Sequence, residues 1–91
     1  MDDEPMNILQ HANAILYERS EEKERQYGPM DECIERTAKL ATLMGKRHID
    51  SRDVYNVLIA LKLAREAHAH REDNILDAIV YLAAKNDQKT Y

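Results

Sequence analysis

Residues 60–84 read ALKLAREAHAHREDNILDAIVYLAA, an apolar stretch that is repeatedly interrupted by ionisable and polar side chains. Apolar residues recur at helical spacing before and after the short segment around residues 69–71, which predicts two helices. Charged groups are seldom buried without a partner, because removing their water costs several kcal/mol. The stretch therefore predicts an antiparallel hairpin of two helices, numbered three and four in the chain, that holds polar groups between them.

The rest of the chain continues the helical pattern. Only two glycines and two prolines occur in 91 residues, and there is no Trp or Phe, which favours helices. Pro5 is suited to the first helical position, and Gly28-Pro29 is suited to a stop. The predicted helices span about residues 5–27, 29–44, 52–68 and 72–85. The predicted fold is all-α: one compact four-helix domain over residues 1–91, ordered over about residues 5–86.

The third predicted helix is apolar around almost its whole circumference. Apolar side chains recur from Val54 to Leu63, so no single face can hold them all. A helix of this kind is either central or shared with another subunit, and a chain of 91 residues can build only a thin core. We expect a homo-oligomer, a dimer or a tetramer.

Bulk charge and cysteine content restrict partners and compartment. The formal net charge is −4, which disfavours general binding to duplex nucleic acid, where a basic surface must displace counterions. Cys33 is the one cysteine, so no intramolecular disulfide can form, as is typical of a reducing cytosol. No signal peptide or spanning apolar run is visible, so the expected location is cytoplasmic, with no membrane partner.

Polar residues of the hairpin form the main candidate site. Lys62 and Arg65 are neighbours on helix three, and Asp73 and Asp77 are neighbours on helix four. A phosphorylated ligand suits such cations, since Arg offers a bidentate fork and Lys a mobile charge. His68 and His70 lie in the connection between the two helices. Arg25 and Tyr27 lie at the end of the first predicted helix, where a base could stack on the ring. The candidate ligand-binding residues are Arg25, Tyr27, Lys62, Arg65, His68, His70, Asp73 and Asp77.

Three other interpretations of these residues stay open. They can form a purely structural salt-bridge network. With Glu66, the pair Asp73 and Asp77 supplies oxygen ligands for Mg²⁺, although the facing cations would repel a metal. His68, His70 and Asp73 form a conceivable zinc set, but the spacing is generic. No glycine-rich phosphate loop, CxxC pair or hydrolytic triad accompanies them.

Two segments carry a resemblance, RQYGPMDECIER (residues 25–36) and VLIALKLAREAHAHREDNILDAIVYLA (residues 57–83). They resemble a family of small uncharacterised proteins of bacteriophage and prophage genomes with the ordered pattern Tyr-Gly, Lys-x-x-Arg, His-x-x-Asp-x-x-x-Asp. NILDAIVYLAA (residues 74–84) is more distantly similar to the last helix motif of MazG-like all-α nucleoside triphosphate pyrophosphatases. Asp77 matches the final Asp of that motif, but Asn74 stands where a Glu belongs, and the first acidic motif is missing.

The resemblance implies three functions in the cytoplasm of a bacterial host. The favoured one is capture of a nucleotide-like ligand, such as a cyclic nucleotide immune signal, without hydrolysis and with no cofactor, as a form of immune evasion. A second is docking on a host or defence protein, with residues 18–24 as the contact surface. The third is Mg²⁺-dependent pyrophosphatase activity, in which Glu66, Asp73 and Asp77 hold the metal.

Overall fold

The computed structural model describes residues 6–18, 23, 25–26 and 28–88. Within that part the chain forms four helices and no strand: α1 (Ile8–Tyr17), α2 (Met30–Met44), α3 (Ser51–His68) and α4 (Glu72–Asp87). The prediction of an all-α fold with four helices is confirmed. Among the described residues, no helix is long and apolar enough to cross a membrane.

The first helix begins later than the sequence suggested. Asn7 caps it: the Asn7 side chain accepts from the Gln10 backbone N–H at 2.8 Å, and the Gln10 side chain accepts from the Asn7 N–H at 2.9 Å. This reciprocal pair satisfies two N–H groups that a helix end leaves unpaired, so it fixes the start at Ile8. The predicted start near Pro5 was wrong.

The predicted first helix is also interrupted. Glu18 follows α1 with non-helical backbone, whereas Lys23, Arg25 and Gln26 are again helical. The apolar stripe of α1 ends at Tyr17, and the residues described between it and Gly28, which are 18, 23, 25 and 26, are all exposed and provide no buried face to continue it. The prediction of one continuous helix to residue 27 was therefore wrong.

The other boundaries follow local chemistry that the sequence shows. Gly28 has φ +76°, a left-handed conformation that glycine adopts without steric cost, and α2 begins two residues later. Asp50 caps α3 by accepting from the Asp53 N–H at 3.0 Å, while the Asp53 side chain accepts from the Asp50 N–H at 3.1 Å. The predicted ends of helices two and three are confirmed to within one residue, and α4 runs two residues further than predicted.

Helices α3 and α4 pack most extensively against each other, while α1 lies against α4 and α2 against α3. Three polar contacts between described side chains join α3 to α4: Lys62 Nζ lies 2.8 Å from Asp77 Oδ2, Lys85 Nζ donates to Asn56 Oδ1 at 2.7 Å, and the Asn74 side chain donates to Glu66 Oε1 at 3.3 Å. At the far end of α4, the Tyr17 hydroxyl donates to Asp87 at 2.6 Å. The α3–α4 pair is therefore the scaffold on which the other two helices rest.

The core is small. One buried cluster centres on Tyr55, which is 1% exposed, and includes Ile34 and Val54; the other contains Leu76 and Val80. Burial raises the pKa of the Tyr55 hydroxyl to about 12. Of the nine buried apolar residues in the described part, four are alanines, which bury little area each. The fold therefore depends strongly on its few large buried side chains.

Candidate ligand-binding cleft

A cleft of about 620 Å³ lies where the last turns of α3 meet the first turns of α4. We call it the cationic cleft; its lining residues are Lys62, Ala64, Arg65, His68, Ala69, Arg71, Asp73, Asn74 and Asp77. Five of the eight predicted site residues line it, namely Lys62, Arg65, His68, Asp73 and Asp77.

Three predicted site residues do not line this cleft or have no described position. His70 is exposed and pairs with Glu66 instead. Arg25 is exposed and lines none of the described clefts. Tyr27 lies outside the described residues, as do residues 19–22 and 24 of the proposed docking surface.

Lys62 is the most sheltered cation of the cleft. Its side chain is 17% exposed, and Nζ lies 2.8 Å from Asp77 Oδ2, whose side chain is 37% exposed. An ammonium group has three donors, so this pairing holds Lys62 in place and leaves further N–H groups for a second acceptor. The contact places a carboxylate beside Lys62 at a partly buried position.

Arg65 differs from Lys62 because no side chain in the described part of the chain pairs with its guanidinium. Its side chain makes no ion pair or hydrogen bond within the part of the chain that the structure describes. Arg71 is only loosely engaged: its Nη2 lies 3.9 Å from Asp73 Oδ2, and both side chains are about three-quarters exposed. Exposed pairs at such a distance contribute little to stability. The cleft thus presents guanidinium groups whose donors are available to a ligand.

The local charge of the cleft is opposite to that of the chain. Three cations (Lys62, Arg65 and Arg71) face two carboxylates (Asp73 and Asp77), so the lining carries +1 when His68 is neutral, against −4 for the whole protein. The N-terminus of α4 adds to the positive potential of the cleft, because its N-cap residue, Arg71, makes no side-chain hydrogen bond to the free backbone N–H groups there. Uncapped N–H groups and the helix dipole attract anions. The cleft is suited to an anionic ligand.

Glu66 holds the connection between the two helices in place. Its carboxylate accepts from the Arg71 backbone N–H at 2.9 Å and from the Asn74 side chain at 3.3 Å, and it pairs with the His70 ring. Asn74 is buried, so this contact reaches under the cleft floor. The Arg71 N–H and then His70 lower the pKa of Glu66 below its ordinary value. The Glu66 carboxylate therefore stays ionised, and its hydrogen bond to the Arg71 backbone N–H fixes the position of Arg71.

In the described part of the chain, Glu66, Asp73 and Asp77 are not arranged as the metal-binding set of an enzyme. Glu66 is engaged by the connection, and Asp77 is bound by Lys62. Among the residues that the structure describes, no group of three or more His, Cys, Asp and Glu side chains is arranged to hold a metal ion. Binding of phosphate by Lys62, Arg65 and Arg71 requires no such group of acidic residues.

The contacts of the Glu66 carboxylate with Arg71, Asn74 and His70 predict a pH-dependent contribution to thermal stability. Because its folded pKa is lowered, the stabilisation is present above the ordinary value of 4.5 and is lost as the pH falls through the folded value. Glu66→Gln should lower Tm at pH 7, and the difference from wild type should shrink towards pH 3. Glu72→Gln, an exposed change in the first turn of α4, is the control. A Tm difference that stays constant from pH 7 to pH 3 would contradict this role.

Two polar residues that line the cleft, Arg71 and Asn74, were not among the predicted site residues. Arg71 enters the cleft because it is the N-cap of α4, and Asn74 because it turns inward one helical turn later. The acidic pair Glu72-Asp73 in the first turn was a usable signal for this boundary, since acidic residues favour helix N-termini. Arg71 directly precedes that acidic pair, so a helix that starts at Glu72 places Arg71 beside the cleft.

Comparison with known proteins adds one finding. Residues 7–89 match the model of DUF6378, a domain of unknown function. No curated protein and no solved structure matches the chain.

Proposed function

We propose that this chain, which belongs to the DUF6378 family, binds a phosphorylated, nucleotide-like small molecule in the cationic cleft without hydrolysing it. The observation that carries the proposal is Arg65, a cation that lines a cleft of about 620 Å³ while making no ion pair within the described residues. A guanidinium pairs with phosphate through two parallel hydrogen bonds, a geometry that water reproduces poorly.

The arrangement around Arg65 supports a phosphate more than a carboxylate. Lys62 and Arg65 on α3 and Arg71 in the connection before α4 line one space. A phosphate group presents several charged oxygens in different directions, so three separate cations can each reach one. A carboxylate has only two oxygens, in one plane, so it is less suited to three cations that approach from different directions.

An antiparallel α3–α4 hairpin underlies this convergence. The supporting contacts pair Lys62 with Asp77 and Asn56 with Lys85, so that residues later in α3 meet residues earlier in α4. This ordering brings the C-terminal turns of α3 beside the N-terminal turns of α4. The proposal requires that pairing, because it is what sets Lys62 and Arg65 opposite the start of α4.

Binding without turnover follows from how the carboxylates are used. Phosphoryl hydrolysis relies on metal ions that neutralise the developing charge and on a group that orients water. Glu66 and Asp77 are already engaged by protein donors. Lys and Arg supply affinity for phosphate but do not generate a nucleophile.

The biological role extends the proposal through the sequence resemblance. If the chain acts as its resemblance to phage and prophage proteins implies, the ligand is a cyclic nucleotide that signals bacterial defence. Capturing such a signal in the host cytoplasm needs tight binding and no catalysis, which suits a cationic cleft on a small stable scaffold.

Self-association is part of the proposed functional form. Large apolar side chains of α2 and α3 stay exposed, with Leu43 81%, Met44 86% and Val57 67% accessible. Four alanines among nine buried apolar residues leave the chain little core of its own in the described part, and burying such faces against a second copy adds to it. Light scattering at working concentration should show a dimer or a tetramer; a monomer contradicts this form.

Calorimetry tests the proposed function. Cyclic dinucleotides, cyclic mononucleotides and linear nucleotides are titrated into the full chain, with and without Mg²⁺, and the products are analysed for hydrolysis. We expect binding of at least one nucleotide at low micromolar Kd or tighter, with the ligand recovered intact. The absence of binding at high micromolar concentration across the panel would overturn the proposal, and Mg²⁺-dependent release of pyrophosphate would replace it by the enzymatic alternative.

A further inference from the structure

A second cleft of about 530 Å³ adjoins the cationic cleft, and the two share Asp77. The second cleft is formed where α1 and the start of α2 meet α4, and its apolar surface comes mainly from Ile15, Met30, Val80 and Tyr81. Both volumes fall within the range of small-molecule sites, ~300–1,000 Å³. The two clefts therefore meet at Asp77 on α4.

Both clefts are lined by residues of one stripe of α4 that the sequence already shows. Asp73, Asp77 and Tyr81 are spaced four residues apart, so they lie one above another on one side of the helix, about 12 Å from first to last. Asp73 lines the cationic cleft, Asp77 lines both clefts, and Tyr81 lines the second. The chemistry along this stripe thus changes from ionic to apolar and aromatic.

We infer that the second cleft takes the base and sugar of the same ligand whose phosphate the cationic cleft takes, which makes the ligand class a nucleoside phosphate. This inference rests on the proposed function. The side chains of Ile15, Met30 and Tyr81 are partly buried and offer an apolar surface with one aromatic ring. A flat heterocyclic base is suited to such a surface, because it can stack on the ring and exclude water from the aliphatic groups.

Asp77 is placed to recognise the sugar between the two groups. Its Oδ2 is held by Lys62 at 2.8 Å, and its side chain is still 37% exposed. An ionised carboxylate accepts from several donors, so Oδ1 can accept from a sugar hydroxyl. Lys62 therefore both faces the phosphate and orients the acceptor for the sugar.

Calorimetry with matched probes tests this inference. ATP and GTP are compared with inorganic tripolyphosphate, which carries a similar charge but no base or sugar. Since a stacked base adds affinity, we expect the better nucleotide to bind at least about tenfold more tightly than tripolyphosphate. Ala14→Phe places a bulky ring in the second cleft without touching the cationic one. It should remove that advantage and leave tripolyphosphate binding unchanged.

Ala60→Phe is the matched control, because Ala60 is exposed on α3 and lines neither cleft; it should behave as wild type. Equal affinities of nucleotide and tripolyphosphate for wild type would overturn the inference and leave the proposed phosphate site intact. A folded Ala14→Phe protein that keeps the full nucleotide advantage would also overturn it. Failure of all three probes to bind wild type at millimolar concentration would overturn the inference, and it would overturn the proposed function as well if the cyclic nucleotides of the panel also fail to bind. If Ala14→Phe does not fold, the wild-type comparison alone decides.

Discussion

Arg65→Ala should weaken nucleotide binding by about 1.5–3 kcal/mol, or roughly 10- to 150-fold in Kd, the range for a hydrogen bond to a charged group. Its Tm should stay close to that of wild type, because the Arg65 side chain is exposed and makes no ion pair or hydrogen bond within the described residues. The separation of the two readouts is what identifies a ligand-binding residue. Calorimetry and thermal melts on the same preparation measure both.

Two controls make the Arg65 result specific. Arg47→Ala removes the same charge from an exposed position after α2 that lines none of the described clefts, so it should leave the affinity nearly unchanged. Arg65→Lys keeps the charge but not the bidentate fork, and it should recover only part of the binding. If Arg65→Ala and Arg47→Ala weaken binding equally, the effect is one of net charge and the cleft assignment is wrong.

Tyr55→Ala should destabilise the fold by about 3–5 kcal/mol, the cost of removing a large aromatic side chain from a core. Tyr55 is 1% exposed and belongs to the cluster that joins α2, α3 and α4. Domains of this size are held by only about 5–14 kcal/mol in total. Urea denaturation followed by circular dichroism should therefore show a much lower midpoint for the variant, or a chain that is largely unfolded without denaturant.

The comparison for Tyr55 is a large apolar side chain on the surface. Leu9 is 67% exposed on α1, so Leu9→Ala should change the free energy of unfolding by less than about 1 kcal/mol. Similar losses for Tyr55→Ala and Leu9→Ala would mean that the α2–α3–α4 cluster is not the centre of the fold.

Local chemistry made much of the fold predictable from the sequence. The start of α2 follows from Gly28, and the start of α3 follows from the Asp50–Asp53 capping pair, in which each side chain accepts a hydrogen bond from the other residue's backbone N–H. The start of α1 had an equally local signal in Asn7 and Gln10, but Pro5 is the more conspicuous helix-start residue in the sequence.

The site was less predictable, because it depends on which residues meet across the hairpin. Spacing alone placed Lys62 and Arg65 together, since both lie on one helix. It could not show that Lys62 is paired with Asp77 and Arg65 is not, or that Glu66 reaches Arg71 and Asn74. It also gave no sign of the second cleft, whose lining comes from three separate helices. These features depend on packing distances that a pattern in one segment does not contain.

The central claim is that an anionic ligand binds between α3 and α4, and nuclear magnetic resonance locates that event directly. The uniformly ¹⁵N-labelled protein is titrated with the nucleotide that binds best, following backbone amides and Arg Nε–H groups. We predict that the largest shift changes fall on residues 62–77, with the Arg65 Nε–H among them, while the outer face of α2 around Leu43 is unaffected. Shift changes confined to α2, or the absence of any change at Arg65 under saturating ligand, would contradict the account.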